Sequence, residues 1–260
     1  MPNHSRRNFL KLAGLTTAAG SLPLSDLFAF GPASAGKDSI SFDLGMASYT
    51  LRSFTFDQAI EMTKRIGLTK MTLKEMHLPY TSTEAEIRSA LEKMKAAGIK
   101  LSSCGVVYMK TEQEVTNAFK YAQWAGIKMM VGVPDAPLLP FAEKKVKETD
   151  ISLAIHNHGP TDQRYPSPES AYTLIEKMDK RMGLCIDVGH TQRLGLDPAG
   201  EVTRFFDRLL DVHIKDVSSA DAKGSTVEIG RGVIDIPKLL KTLVKDCAEM
   251  SVKVPSPLFR

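Results

Sequence analysis

The runs Lys100-Leu101-Ser102-Ser103-Cys104-Gly105, Thr111-Glu112-Gln113-Glu114, Ala125-Gly126 and Lys128-Met129-Met130-Val131-Gly132-Val133 decide the fold. The first and last are short β-rich stretches. Between them, Thr111 is a helix-capping residue followed by acids suited to a first helical turn, and Gly126 is the glycine that closes a helix. The passage therefore reads strand, helix, strand. The same grammar precedes it, with Thr83-Glu84-Ala85-Glu86 opening a helix and Ala97-Gly98 ending one.

Working outward, seven strands are predicted: Phe42 to Ser48, Lys70 to Lys74, Lys100 to Gly105, Lys128 to Val133, Ser152 to Ile155, Gly183 to Val188 and Leu210 to Ile214. They recur with a period of roughly 24 to 32 residues, each followed by an amphipathic stretch. Regular alternation demands a parallel sheet with right-handed crossovers, and this many repeats favour an α/β fold of the (β/α)8 TIM barrel type over an open doubly wound sheet. No GxGxxG follows the first strand and no GxxxxGK[ST] occurs, so dinucleotide and P-loop functions lack their phosphate-cradling loops. Gly230-Arg231-Gly232 is a weak motif, a turn before a helix carrying Pro237 in its first turn.

A chain of 260 residues, 43% hydrophobic and 25% charged, has ample material for a buried core and is neither disordered nor a disulfide-stapled miniprotein. Of its net charge of +4, Arg6, Arg7 and Lys11 against Asp26 place +2 on residues 1–35 and leave +2 on the rest. That balance offers no nucleic-acid surface. Cys104, Cys185 and Cys247 are odd in number and lack CxxC spacing, so neither a disulfide framework nor a thiolate zinc cage is indicated. They read as small buried apolar residues.

Residues 1–35 read as a targeting segment. Arg6-Arg7 precede an apolar run, Leu12 to Leu24, and Ala33-Ser34-Ala35 has the small-residue pattern of a cleavage site. Gly14, Gly20, Ser21 and Pro23 interrupt that run too often for a membrane span. The segment resembles a bacterial twin-arginine signal, which implies export of a folded protein to the periplasm, no membrane association beyond export, and a mature domain over residues 36–260.

Five of the six histidines, all but His4, fall at or just beyond the carboxyl end of a predicted strand, the rim where barrel enzymes assemble their sites. His77 follows the second strand, close to Lys74. His156 and His158 end the fifth, Asp187 and His190 the sixth, and His213, Lys215 and Asp216 the seventh. Imidazoles and carboxylates converging without thiolates suit a divalent cation such as Mn2+, Co2+, Zn2+ or Mg2+. Asp187 and His213 are the foremost ligand candidates, each standing where an apolar strand runs out into polar residues.

The motifs HNHGP (156–160), DVGHT (187–191), HIKD (213–216) and GRGVID (230–235) resemble those of the sugar phosphate isomerase/epimerase group, with its xylose isomerase-like barrel. Ketose 3-epimerases, inosose dehydratases and endonuclease IV share that barrel. The resemblance spans about residues 40–245. It implies a metal held by a residue ending the fifth strand, by Asp187, by His213 and by a glutamate on an eighth strand, with His190 holding substrate hydroxyls. Two departures stand out. The fifth strand ends in His156, with His158 two residues on, where the epimerases place a glutamate; alternation puts both on one side of the strand, and position favours His156 as the ligand. After Lys245-Asp246 the expected last strand and its glutamate are replaced by a segment ending in Pro255-Ser256-Pro257-Leu258-Phe259-Arg260, in which only Ser251 to Val254 could form a stub of the eighth strand. The barrel is thus expected to lack a complete eighth unit, and the unpaired edges of its outer strands favour poor solubility or oligomers.

A divalent ion chelating a carbonyl and its neighbouring hydroxyl acidifies the C–H between them, so proton abstraction next to a carbonyl of a small sugar is the expected chemistry. General acid/base work falls to His156 or His158, to His77, and to Lys74 or Lys215, with Asp216 orienting a neighbour or forming a structural ion pair. An isomerase or epimerase is expected, with a lyase on keto-sugars or inositols and a noncatalytic sugar-binding remnant as alternatives. A nuclease is disfavoured by the small net charge. Exchanging Arg6 and Arg7 for lysines together should strand the chain in the cytoplasm; undiminished recovery of the double variant from the periplasm would refute twin-arginine export.

Overall fold

A computed structural model of the chain describes residues 44–253; the leader of residues 1–35 lies outside them. Seven parallel strands follow one another: β1 (Met46–Ala47), β2 (Lys70–Leu73), β3, β4 (Met129–Pro134), β5 (Ser152–His156), β6 (Met182–Asp187) and β7 (Leu209–His213). Strand β3 has two segments, Lys100–Cys104 pairing with β2 and Val107–Met109 pairing with β4. The hydrogen-bonded order is β1-β2-β3 in one sheet and the second segment of β3 through β4, β5 and β6 to β7 in the other, each strand beside its sequence neighbour. That is the order of a barrel wall, and it matches the sequence expectation.

The crossover helices are α1 (Phe56–Arg65), α2 (Glu84–Ala96), α3 (Glu112–Trp124), α4 (Leu139–Thr149) and α5 (Pro168–Ile175). Thr55, Thr83, Thr111 and Ser167 cap α1, α2, α3 and α5, each in a reciprocal capping box with the residue three on. Gly98 and Gly126 follow α2 and α3 with φ of 76° and 65°, the left-handed conformation that terminates a helix at little cost only with glycine. After β6 come two short helices, α6 (Val188–Gln192) and α7 (Pro198–Arg204), and after β7 an antiparallel pair, Asp216–Val217 with Thr226–Val227, and a final helix α8 (Ile236–Lys253).

Two apolar clusters fill the structure. The larger joins the strands to the helices; the smaller consists of Val131, Ala154 and Cys185, with Val106, Met129 and Leu210 packed against it. Val131 is the cross-strand partner of Ala154, and His156 that of Cys185. Alternation therefore places Ala154 and His156 on one face, with Cys185 and Asp187 beside them, and Asp187 is in turn the partner of His213. The small cluster is the floor on which the histidine-bearing strand ends stand.

The structure shifts two expectations. The sixth predicted strand ends at Asp187 rather than Val188, because the Asp187 side chain accepts from the His190 backbone N–H and starts α6. Ser251 to Lys253 form no strand stub but the last turn of α8, whose amphipathic pattern runs on from Ile236. Among the described residues no eighth strand is present. All residues of β5 and β6 are buried, whereas every residue of β7 is only half-buried, as befits a strand paired on one side.

Arg208, 2% exposed, anchors the turn leading into β6. Its guanidinium donates to the carbonyls of Glu176, Met178, Asp179 and Met182, the last at 2.8 Å. Arg208→Met keeps the aliphatic stem but strips four carbonyls of their donor. It should lower the unfolding free energy by about 3 kcal/mol, read from the urea midpoint; an unchanged midpoint would show that the turn holds itself.

Candidate active site

Four histidine side chains gather at the carboxyl ends of β5, β6 and β7. The His156 ring lies 4.5 Å from that of His158, 4.8 Å from His213 and 6.0 Å from His190, with His158 and His190 5.8 Å apart. Asp187 joins them from the end of β6. Its Oδ2 is 3.4 Å from His156 Nε2, 4.0 Å from His190 Nε2 and 2.9 Å from Lys215 Nζ. Lys215 Nζ also stands 3.4 Å from His190 Nε2. Asn157 fixes the strand end from behind, accepting from the Asp187 N–H and donating to Thr191 Oγ1, while the Thr191 hydroxyl donates to the Asp187 carbonyl.

Burial sets the charge states. It pushes the His156 imidazole down to about 3 and His190 to about 4, and it lowers His158, so all three are neutral near pH 7. Burial alone would raise the Asp187 carboxyl, but the His156 hydrogen bond and the Lys215 ammonium outweigh it and hold the group well below the usual carboxylate range. The centre is thus one buried carboxylate, one ammonium and a set of neutral imidazoles.

Within the cluster, Nδ1 of His156, His158 and His190 has no hydrogen-bond partner although buried, as is also true of His77 Nδ1 outside it. Orphaned buried donors or acceptors of this kind are rare, and a neutral imidazole nitrogen is a ligand for a divalent cation. Ligand atoms of His156, Cys185 and His213 all lie within 4.8 Å of one another. The residues therefore fit a metal ion, and the three sequence candidates, His156, Asp187 and His213, are brought together.

The other candidates divide. His158 belongs to the cluster, its Nε2 2.8 Å from the Tyr108 hydroxyl. Lys74 reaches it indirectly, its Nζ donating to the Val106 carbonyl and lying 5.3 Å over the Tyr108 ring. His77 is engaged elsewhere, with Nε2 3.1 Å from the Phe54 carbonyl oxygen and its ring beside Phe56, so it takes no part in the cluster. Among the described residues Asp216 neither orients a lysine nor forms an ion pair. Its carboxylate accepts from the backbone N–H groups of Val217, Gly230, Gly232 and Ile234, and so pins the GRGVID loop beneath the rim. A side chain on Gly232 would collide with that carboxylate, which explains the glycine.

Two residues escaped the sequence reading. Tyr108 sits in the segment of β3 beyond a break at Gly105–Val106 and had no periodic pattern to mark it. Cys185 had a usable signal: it stands two residues before Asp187 on the same strand, hence on the same face. Burial pushes its thiol well above the ordinary value, with Asp211 adding to the rise.

The chain belongs to the xylose isomerase-like TIM barrel family, whose model matches residues 55–249. Rhizopine catabolism protein MocC of Rhizobium meliloti is 30% identical over 117 residues, a match spanning 39% of this chain and only 35% of that protein. A sugar phosphate isomerase/epimerase from Parabacteroides distasonis superposes with a TM-score of 0.59 at 14% identity, over 88% of this chain and all of that one. The 3-keto-D-glucoside 4-epimerase of E. coli gives 0.62 at 12% identity, over 79% and 88% of the two chains.

The Asp216 clip yields a measurable consequence. Against burial, which acts to raise it, four N–H donors lower the Asp216 carboxyl, so its stabilisation is present above the unfolded-state value of about 3.9 and is lost as pH falls through the folded value. Asp216→Ala should lower the unfolding free energy by about 2–4 kcal/mol at pH 7, and the gap from wild type should shrink below about pH 4. A pH-independent gap in urea titrations would overturn this.

Proposed function

We propose that the mature chain is an exported, divalent-metal-dependent sugar isomerase or epimerase that removes the proton next to a carbonyl of a sugar or keto-sugar. One observation carries this reading: neutral His156, His158 and His190 converge on a buried, ionised Asp187 at the rim of the barrel, with Lys215 beside them. Neutral bases with a fixed cation nearby are what proton transfer at carbon requires.

His158 is the base in this proposal. Its imidazole is uncharged, its Nε2 is held by Tyr108, and its Nδ1 has no protein partner and is free to take a proton. The Tyr108 hydroxyl oxygen fixes the ring orientation by accepting from Nε2–H, the tautomer that leaves Nδ1 as the basic nitrogen. Lys215 and His190 face the same space and would bind sugar oxygens, the ammonium favouring an oxygen that gains negative charge. His156 and His213, with Asp187 alongside, would hold the cation, which when bound polarises the substrate carbonyl. The isomerase and epimerase names of two structural relatives support the substrate class. Export favours a substrate without phosphate.

His158→Gln should lower kcat by about 100-fold or more on a ketose substrate while bound metal is unchanged. Asp187→Ala and His213→Ala should each cost bound metal while the far-ultraviolet circular dichroism stays near wild type. Full metal occupancy in both variants, or an unaffected His158 variant, would refute the corresponding role.

A further inference from the structure

We infer that Cys185 is a thiolate ligand of the bound cation, and that this barrel is consequently built for a soft-accepting ion of the zinc type rather than for magnesium. The inference rests on the proposed metal dependence and deepens it. Cys185 stands at the cross-strand position of both His156 and Asp211, on the face that carries Asp187. Its sulfur and one ring nitrogen each of His156 and His213 lie within 4.8 Å of one another, close enough to close on a single ion by small side-chain movements.

The neighbouring groups favour this triad over an oxygen-rich set. Asp187 already has a cation, Lys215 Nζ at 2.9 Å, and its Oδ2 faces His156 Nε2 at 3.4 Å. That contact leaves His156 Nδ1 as the nitrogen without a partner, in a residue 3% exposed. A carboxylate behind a histidine is the usual support of a zinc-ligating imidazole, fixing the ring while its other nitrogen binds metal. Two imidazoles and a thiolate with one position open form a tetrahedral site with room for one substrate oxygen, whereas Mg2+ demands six oxygens in near-octahedral array. Charge agrees: a divalent ion with one thiolate, one carboxylate and one ammonium leaves the buried centre at +1, instead of +2 without the thiolate. Binding forms the metal–sulfur bond as the thiol proton leaves to solvent, with no change of oxidation state.

Cobalt(II) tests this without recourse to activity. The mature full-length chain, stripped of metal and titrated with Co2+ alone, should develop an intense near-ultraviolet sulfur-to-cobalt charge-transfer band together with strong tetrahedral visible bands. Cys185→Ser should abolish the charge-transfer band, and zinc affinity by competition should fall by about tenfold or more. Mg2+ in large excess should not displace Zn2+ from wild type. Should the serine variant fail to fold, Cys104→Ser and Cys247→Ser decide the matter: a wild-type band that both retain belongs to Cys185, and one that either loses does not. Cobalt bound in equal measure without the band, or with a band that survives Cys185→Ser, would overturn the thiolate while leaving the proposed metal dependence standing. Failure of wild type to bind Co2+ or Zn2+ at all would overturn both.

Discussion

A carboxylate enclosed by protein must find its counter-charge and its hydrogen bonds inside the fold, and Asp187 finds them in a way that organises the whole rim. One oxygen takes the His190 N–H and starts a helix at the end of a strand; the other meets His156 and Lys215. Because these contacts come from β5, from the turn after β6 and from the segment after β7, the three crossovers are tied at a single point. Ring orientation, protonation state and the placement of the lysine all follow from satisfying one buried charge. Asn157 and Thr191 complete the arrangement by occupying the backbone groups at the strand end.

Asp216 shows the same principle at lower chemical stakes. Among the described residues its carboxylate meets no cation and is satisfied by backbone N–H groups, so its negative charge becomes a fastener for the loop from Gly230 to Ile234. Asp187, which opens DVGHT, and Asp216, which closes HIKD, therefore have opposite functions. One is left beside mobile protons and an open set of imidazoles, and the other is sealed.

Much of the fold was legible because each unit carries its own punctuation. Threonine caps with acids three residues on, and glycines after the helices, reappear as reciprocal capping boxes and left-handed turns. The site was legible to the extent that alternation and strand ends determine direction, which is why His156, His158, Asp187, His190 and His213 converge as expected. What escaped depends on contacts between distant segments. Nothing local marks Tyr108 as the partner of His158, a residue fifty positions away. His77 and Asp216 looked like rim chemistry from their positions alone, yet a carbonyl from the loop after β1 and a ring of backbone amides claimed them. The apparent strand stub at Ser251 was absorbed by the helical periodicity begun at Ile236.

His213 occupies a strand whose every residue remains half-buried, while His156 and Asp187 stand on strands that are buried throughout. The pocket is thus bolted to a stiff wall on one side and to a compliant one on the other. Local opening costs least where apolar contacts are fewest, so amide exchange at Leu209 to His213 will run ahead of that in β5 and β6. Any occupant that bridges His213 to His156 stiffens that compliant wall, and its affinity is diminished by the entropy of ordering the strand.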